Sequence, residues 1–281
     1  MWKYGAAITT SSTTSSGAYH GSPLLNPAGG LRYHWRARKY AKKLWEPFRW
    51  ALGEWLLGWQ PPEPTLVLVG PSGGYNLQPF VFERFERVVV LEPDPIARWV
   101  FARRLAKAPL DRRPKLELIA EDHLIHDPER LPALLEQQGN AALLFSNVIG
   151  QIKVLLDIDA PNTELARVKA AVHRAIAGRS WASFHDRVSG SLVPSLEDPI
   201  ISPQRWSDDE VLSEAYYGST PSEDPELHDH LTEGFFPAEA PHTYFRWQLD
   251  PTSYHLIEAV ASVTVNEPSP LNAVVIPRDD D

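Results

Sequence analysis

Thr65-Leu66-Val67-Leu68-Val69-Gly70-Pro71-Ser72-Gly73-Gly74-Tyr75 runs from five mostly apolar residues straight into a glycine-rich turn. Such a run predicts a strand buried on both faces, and a glycine at its end lets the backbone pass close to a ligand with no Cβ in the way. The next apolar run, Val88-Val89-Val90-Leu91-Glu92-Pro93-Asp94-Pro95, also ends on a turn, and it places a carboxylate 22 residues after Gly70. Outward from this pair, further strand patterns at 115–119, 141–145 and 180–184 alternate with helical ones at 76–84, 94–107, 128–137 and 162–177. The alternation predicts an α/β fold built on a doubly wound, mostly parallel sheet. The last helix has the clearest period: Leu165, Val168, Val172, Ala175 and Ile176 share one face, and Gly178 supplies a stop.

The 281 residues suffice for one elaborated domain or two small ones, and the chain has no cysteine. Disulfides, thiolate nucleophiles, Cys-ligated zinc and iron–sulfur clusters are therefore excluded. Charge is uneven: residues 1–58 hold eight Lys/Arg and two Asp/Glu, a balance of +6, so the rest of a chain of net charge −9 carries −15. A nucleic-acid binder shows a basic face at its reactive centre, which the acidic remainder lacks, so no nucleic-acid partner is expected. Neither a signal peptide nor a membrane span is legible, and the expectation is a soluble, cytoplasmic protein.

Before the first strand, residues 1–30 are small, polar and punctuated by Gly and Pro, the composition of a flexible arm. Residues 31–60 are basic, aromatic and helical, holding Trp35, Trp45, Trp50, Trp55 and Trp59, with Pro47 breaking or kinking the helix. This Trp-rich cap packs on the sheet, covers a pocket or mediates a homodimer contact, with peripheral membrane contact as the disfavoured alternative. From 61 the α/β domain continues to 281, interrupted at 190–241 by seven prolines, twelve Asp/Glu and the single basic Arg205. So long and acidic a stretch reads as a lid-like insertion or a disordered excursion. Within it, Ser207-Asp208-Asp209-Glu210 has the form of a capping box. Two strand patterns, 242–249 and 254–263, close the domain as a hairpin.

In a doubly wound sheet the Glu92 carboxylate lies beside the glycine turn, where it can accept hydrogen bonds from both hydroxyls of a ribose. The G-x-G-x-x-G spacing of dinucleotide folds fails, because Ser72 and Tyr75 occupy two of its glycine positions. The G-x-G-x-G spacing used for adenosyl ligands fits at Gly70 and Gly74, with Ser72 at the middle position. Over roughly 31–263 the chain resembles the class I, Rossmann-like S-adenosylmethionine-dependent methyltransferases, in strand order, in the Glu92-Pro93-Asp94-Pro95 turn and in the terminal hairpin.

The resemblance implies S-adenosylmethionine as cofactor. It places Gly70, Pro71, Ser72, Gly73 and Gly74 along its methionine and ribose, Glu92 with Pro93 on the ribose, Glu121, Asp122 and His123 near the adenine, and Ser146, Asn147 and Val148 facing cofactor and substrate. It also marks a departure: the family's acidic residue two places before the first glycine is Leu68 here. Methyl transfer to a small-molecule or peptide acceptor is the implied activity, and a catalytically silent binding or regulatory protein is the alternative. Taken residue by residue, the same features also describe a tight turn and a helix N-cap.

For proton removal, His185 at the end of the fifth strand is the candidate base; its neighbour Asp186 points to the other face and does not pair with it. Leu227-His228-Asp229-His230 has His-x-His spacing with a carboxylate between, but no third ligand is visible, so no metal is assigned.

Overall fold

The computed structural model describes residues 30–122, 124–217 and 226–264; the arm expected over 1–30 lies outside them except for Gly30, as does His123. Two helices come first, α1 (Gly30–Tyr40) and α2 (Glu46–Gly58). Pro47 explains the division, since it sits in the first turn of α2, where a missing N–H leaves no bond unmade.

Five parallel strands follow, β1 (Thr65–Val69), β2 (Arg87–Leu91), β3 (Lys115–Ile119), β4 (Ala141–Ser146) and β5 (Trp181–Gly190). Between them run α3 (Pro95–Lys107), α4 (Arg130–Gln138), α5 (Ile152–Leu156) and α6 (Thr163–Ile176). Side chains start two of these helices: Asp94 accepts the N–H groups of Ile96 and Ala97 for α3, and Asn162 accepts that of Leu165 for α6. The helix expected over 76–84 does not form. Gln78, ahead of Pro79, is extended, and only a 3-10 turn at Pro79–Phe82 follows.

Two short strands, β6 (Ile200–Ser202) and β7 (Leu227–Asp229), precede the hairpin of β8 (His242–Asp250) and β9 (Ser253–Ser262). The sheet runs β3-β2-β1-β4-β5-β9-β8-β6, with β7 pairing β5 off that path. Since β9 is antiparallel to both β5 and β8, this is a Rossmann-like α/β sheet with an antiparallel hairpin added. The described part of 190–241 is thus no structureless excursion. It lends two strands to the sheet, forms the Ser207–Glu210 capping box, and buries Trp206 face to face with Tyr244 at 3.8 Å.

Alternation along the strands divides the core. Leu66 and Leu68 face Trp45, Phe48 and Leu52 on the cap side, while Val67 and Val69 face Leu131, Val168 and Val172 on the other. The cap is anchored by Trp45, which is fully buried, donates Nε1–H to the Leu249 carbonyl at 2.8 Å, stacks on Tyr33 and meets Trp247 edge-on. Trp59 is buried as well, Trp55 is half-buried, and Trp35 and Trp50 stand exposed. Among the described residues no helix is long and apolar enough to cross a membrane.

Candidate functional site

The sheet order reverses between β1 and β4, and in open α/β sheets ligands bind outside the strand ends at such a point. A cleft of about 780 Å³ opens there, a size typical of small-molecule sites. Gly70 enters it with φ +64°, and a Cβ on Gly70 would stand 2.7 Å from Val148 Cβ. Gly70→Ala therefore combines left-handed strain with a collision, and we expect a loss of about 1–3 kcal/mol in urea denaturation.

Ser72 holds the left-handed conformation without being glycine, at φ 50°, and donates its N–H to Glu92 Oε2 at 2.8 Å. The Asp94 N–H donates to Glu92 Oε1 at 3.0 Å. Burial pushes the Glu92 carboxyl up to about 7, although these two N–H groups favour its charge. Gly70 and Glu92 thus converge through the turn. Pro71, Ser72, Glu92 and Pro93 line the cleft, whereas Gly73 and Gly74 do not. Those two glycines make room for Tyr75 and Val100 and for Phe101 respectively, so their part is to seat the turn on α3.

Glu121 and Asp122 line the cleft at the end of β3. Asp122 Oδ1 accepts the N–H groups of Leu124 and Ile125 at 2.9 Å, which closes a turn and sets both buried apolar side chains against the cleft wall. Ser146, Asn147 and Val148 line it at the end of β4. Asn147 is left-handed at φ 59° and is paired reciprocally with Asp186, its Oδ1 accepting the Asp186 N–H at 2.8 Å and its Nδ2 donating to Asp186 Oδ2 at 3.0 Å.

His185 is a correction. It is fully buried on the far face of β5, 5.6 Å from the Phe236 ring, with Nδ1 bonded to Ser183 Oγ and no share in the cleft lining. Burial lowers its pKa to about 4 against the pull of Glu258, so it is neutral and out of reach of a substrate in the cleft. Its neighbour Asp186 faces the cleft instead. Burial alone would raise the Asp186 carboxyl, but His255, whose Nδ1 lies 2.7 Å from Oδ1, holds it down to about 2. Gln151 Nε2 adds a bond to Oδ2 at 2.7 Å. Just beyond, Arg187 is the extra residue of a bulge, since Asp186 pairs with Ile257 and Val188 with Leu256.

His255 and His230 complete this side of the cleft; the sequence offers no sign of His255, and it marks His230 only through a His-x-His spacing to which no metal is assigned. The His-x-His spacing pointed to a pair at 228 and 230, but His228 is half-exposed beside Glu226, and His230 joins Asp186 and His255 instead. The roof comes from the cap. Arg32, Tyr33 and Arg36 of α1 line the cleft, and His34 ties α1 down through Tyr75 Oη at 2.8 Å and Asp94 Oδ2 at 3.1 Å.

No family model matches the sequence, and no curated protein resembles it significantly. Among solved structures, the glycopeptide N-methyltransferase MtfA complexed with S-adenosyl-L-methionine is 14% identical, the match covering 74% of this chain and 91% of that one at a TM-score of 0.36. The amino pentose methyltransferase CalS10 of Micromonospora echinaspora is 18% identical, with coverage of 82% and 96% and a TM-score of 0.37. An rRNA methylase of Streptococcus thermophilus is 13% identical, with coverage of 74% and 92% and a TM-score of 0.32. Likenesses of this size carry no inference about chemistry. The strand order and the terminal hairpin define a Rossmann-like α/β sheet with an antiparallel end.

Proposed function

We propose that the chain is an S-adenosylmethionine-dependent methyltransferase acting on a small-molecule or peptide acceptor. The observation that carries this reading is the Ser72 N–H donated to a buried Glu92 carboxylate in the lining of the cleft. Each Glu92 oxygen keeps a lone pair after accepting one backbone N–H, which suits the two hydroxyls of a ribose. Leu124 and Ile125 offer an apolar wall to a purine. Leu68 is buried in the core and does not line the cleft, yet Asn76 Oδ1, buried at the cleft, has no hydrogen-bond partner among the described residues and suits a ligand ammonium.

The sulfonium of such a cofactor supplies a methyl group already activated for in-line displacement. What remains for the protein is to align the acceptor and keep water out, a part for which Arg32, Tyr33 and Arg36 of the α1 roof are placed. The test is calorimetry with S-adenosylmethionine and its demethylated product, S-adenosylhomocysteine, with reduced nicotinamide dinucleotide as the contrast. One-to-one binding of the adenosyl compounds alone is expected; binding of neither overturns the proposal. Binding without turnover over a broad acceptor panel would instead support a silent binding protein, the reading that Leu68 favours.

Glu92 also sets a pH dependence. With its carboxyl raised to about 7, it is protonated at pH 6 and loses an acceptor position, so affinity rises with pH through that value. If only the ionised form binds, the dissociation constant of S-adenosylhomocysteine at pH 6 is about tenfold that at pH 8. Glu92→Gln, which cannot titrate, flattens the profile; an unchanged slope in that variant assigns the effect to another group.

A further inference from the structure

We propose that Asp186, His230 and His255 form a divalent-cation site in the wall of the cleft, a site that stands independently of the adenosyl reading. The three side chains come from one region of the sheet: Asp186 on β5, His255 on β9 paired to it, and His230 directly after β7, which pairs β5 from the other side. One ligand atom from each lies within 4.8 Å of the others. Metal–ligand distances of about 2.0–2.2 Å ask for roughly 3–3.5 Å between ligands, so side-chain rotations of about an ångström close the set.

Two of the three, His230 and Asp186, are oriented from behind by hydrogen bonds, as metal ligands are. His230 donates Nδ1–H to the Gly150 carbonyl at 2.6 Å, which leaves the Nε2 lone pair free to ligate, at present accepting from Ser189 Oγ at 2.8 Å. Asn147 and Gln151 both donate to Asp186 Oδ2, while Oδ1 faces His255 Nδ1 at 2.7 Å, a contact in which the cation would take the place of the shared proton. The His255 ring rests 5.2 Å from Trp247. The Asp186 side chain is wholly buried, and among the described residues it forms its ion pair with His255 rather than with an arginine or lysine. Buried carboxylates with amide donors and imidazoles around them are suited to a cation held jointly.

Two imidazoles and one carboxylate select zinc, cobalt, iron(II) or manganese over magnesium and calcium, which prefer all-oxygen sets. Since the three residues line the cleft, the remaining coordination positions open toward it. They would take water or an acceptor bearing a lone pair on oxygen or nitrogen, whose acidity the cation raises.

Tag-free protein is stripped with a chelator, dialysed and titrated with Co²⁺ at neutral pH, the readouts being visible d–d absorption and calorimetric stoichiometry. The absence of cysteine removes thiolate sites from the interpretation. One Co²⁺ per chain, displaced by Zn²⁺, is expected, with His230→Gln and His255→Gln each weakening it at least tenfold while circular dichroism stays unchanged. Absence of a Co²⁺ band in the parent protein overturns the proposal and leaves a hydrogen-bonded Asp–His pair. Binding unaltered in both variants overturns it too, since the ion then sits elsewhere. Neither result bears on binding of S-adenosylhomocysteine, which is measured separately on the stripped protein.

Discussion

Replacing Glu92 with alanine is expected to weaken S-adenosylhomocysteine binding about a hundredfold or more. In the proposed complex two hydroxyl-to-carboxylate hydrogen bonds would be lost together, each contributing about 1.5–3 kcal/mol. The substitution also strands the N–H groups of Ser72 and Asp94, which the carboxylate now satisfies. Ser72 is held in a conformation that non-glycine residues rarely adopt, so the turn relaxes once its N–H loses that partner. Calorimetry measures the loss, and chemical denaturation of the same variant separates a binding effect from unfolding. An affinity within threefold of the parent would remove Glu92 from the ligand and, with it, the argument for an adenosyl site.

The second large effect is on stability. Trp45→Ala should cost about 3–5 kcal/mol, the range for truncating a fully buried large aromatic side chain. Beyond the cavity, the Leu249 carbonyl loses its donor and Tyr33 and Trp247 lose a ring neighbour. Trp247 in turn braces His255, and Tyr33 lines the cleft, so the same change loosens the roof. Urea denaturation gives the free-energy loss. A change under 1 kcal/mol would mean that the cap is not held through this residue.

The sequence makes the central strands legible because a strand covered on both sides must be apolar at every position, as Leu66 to Val69 and Val88 to Leu91 are. Glu92 is legible for a related reason, since a carboxylate closing such a run has to lie where the strand ends and the next turn begins. The three-residue strands β6 and β7 carry too little pattern to be seen. The segment 76–84 has helical composition, but Pro79 restricts the residue before it and leaves a single tight turn. Alternation correctly separates His185 from Asp186, yet it does not say which of the two faces the cleft. That choice depends on where the β4 loop, with Asn147, comes to rest. His230 and His255 meet Asp186 only because β7 and β9 flank β5, a pairing that no local spacing encodes.

The cap's anchor points have a consequence for synthesis. Trp45 bonds a carbonyl 204 positions further along, and Trp59 bonds one 203 further. At about 5–20 residues per second, these helices wait on the order of 10 to 40 s after leaving the ribosome before their docking strands exist. During that interval Phe48, Leu52 and Leu56 have no completed sheet to cover them, and a nascent chain in this state is a natural client for a holding chaperone.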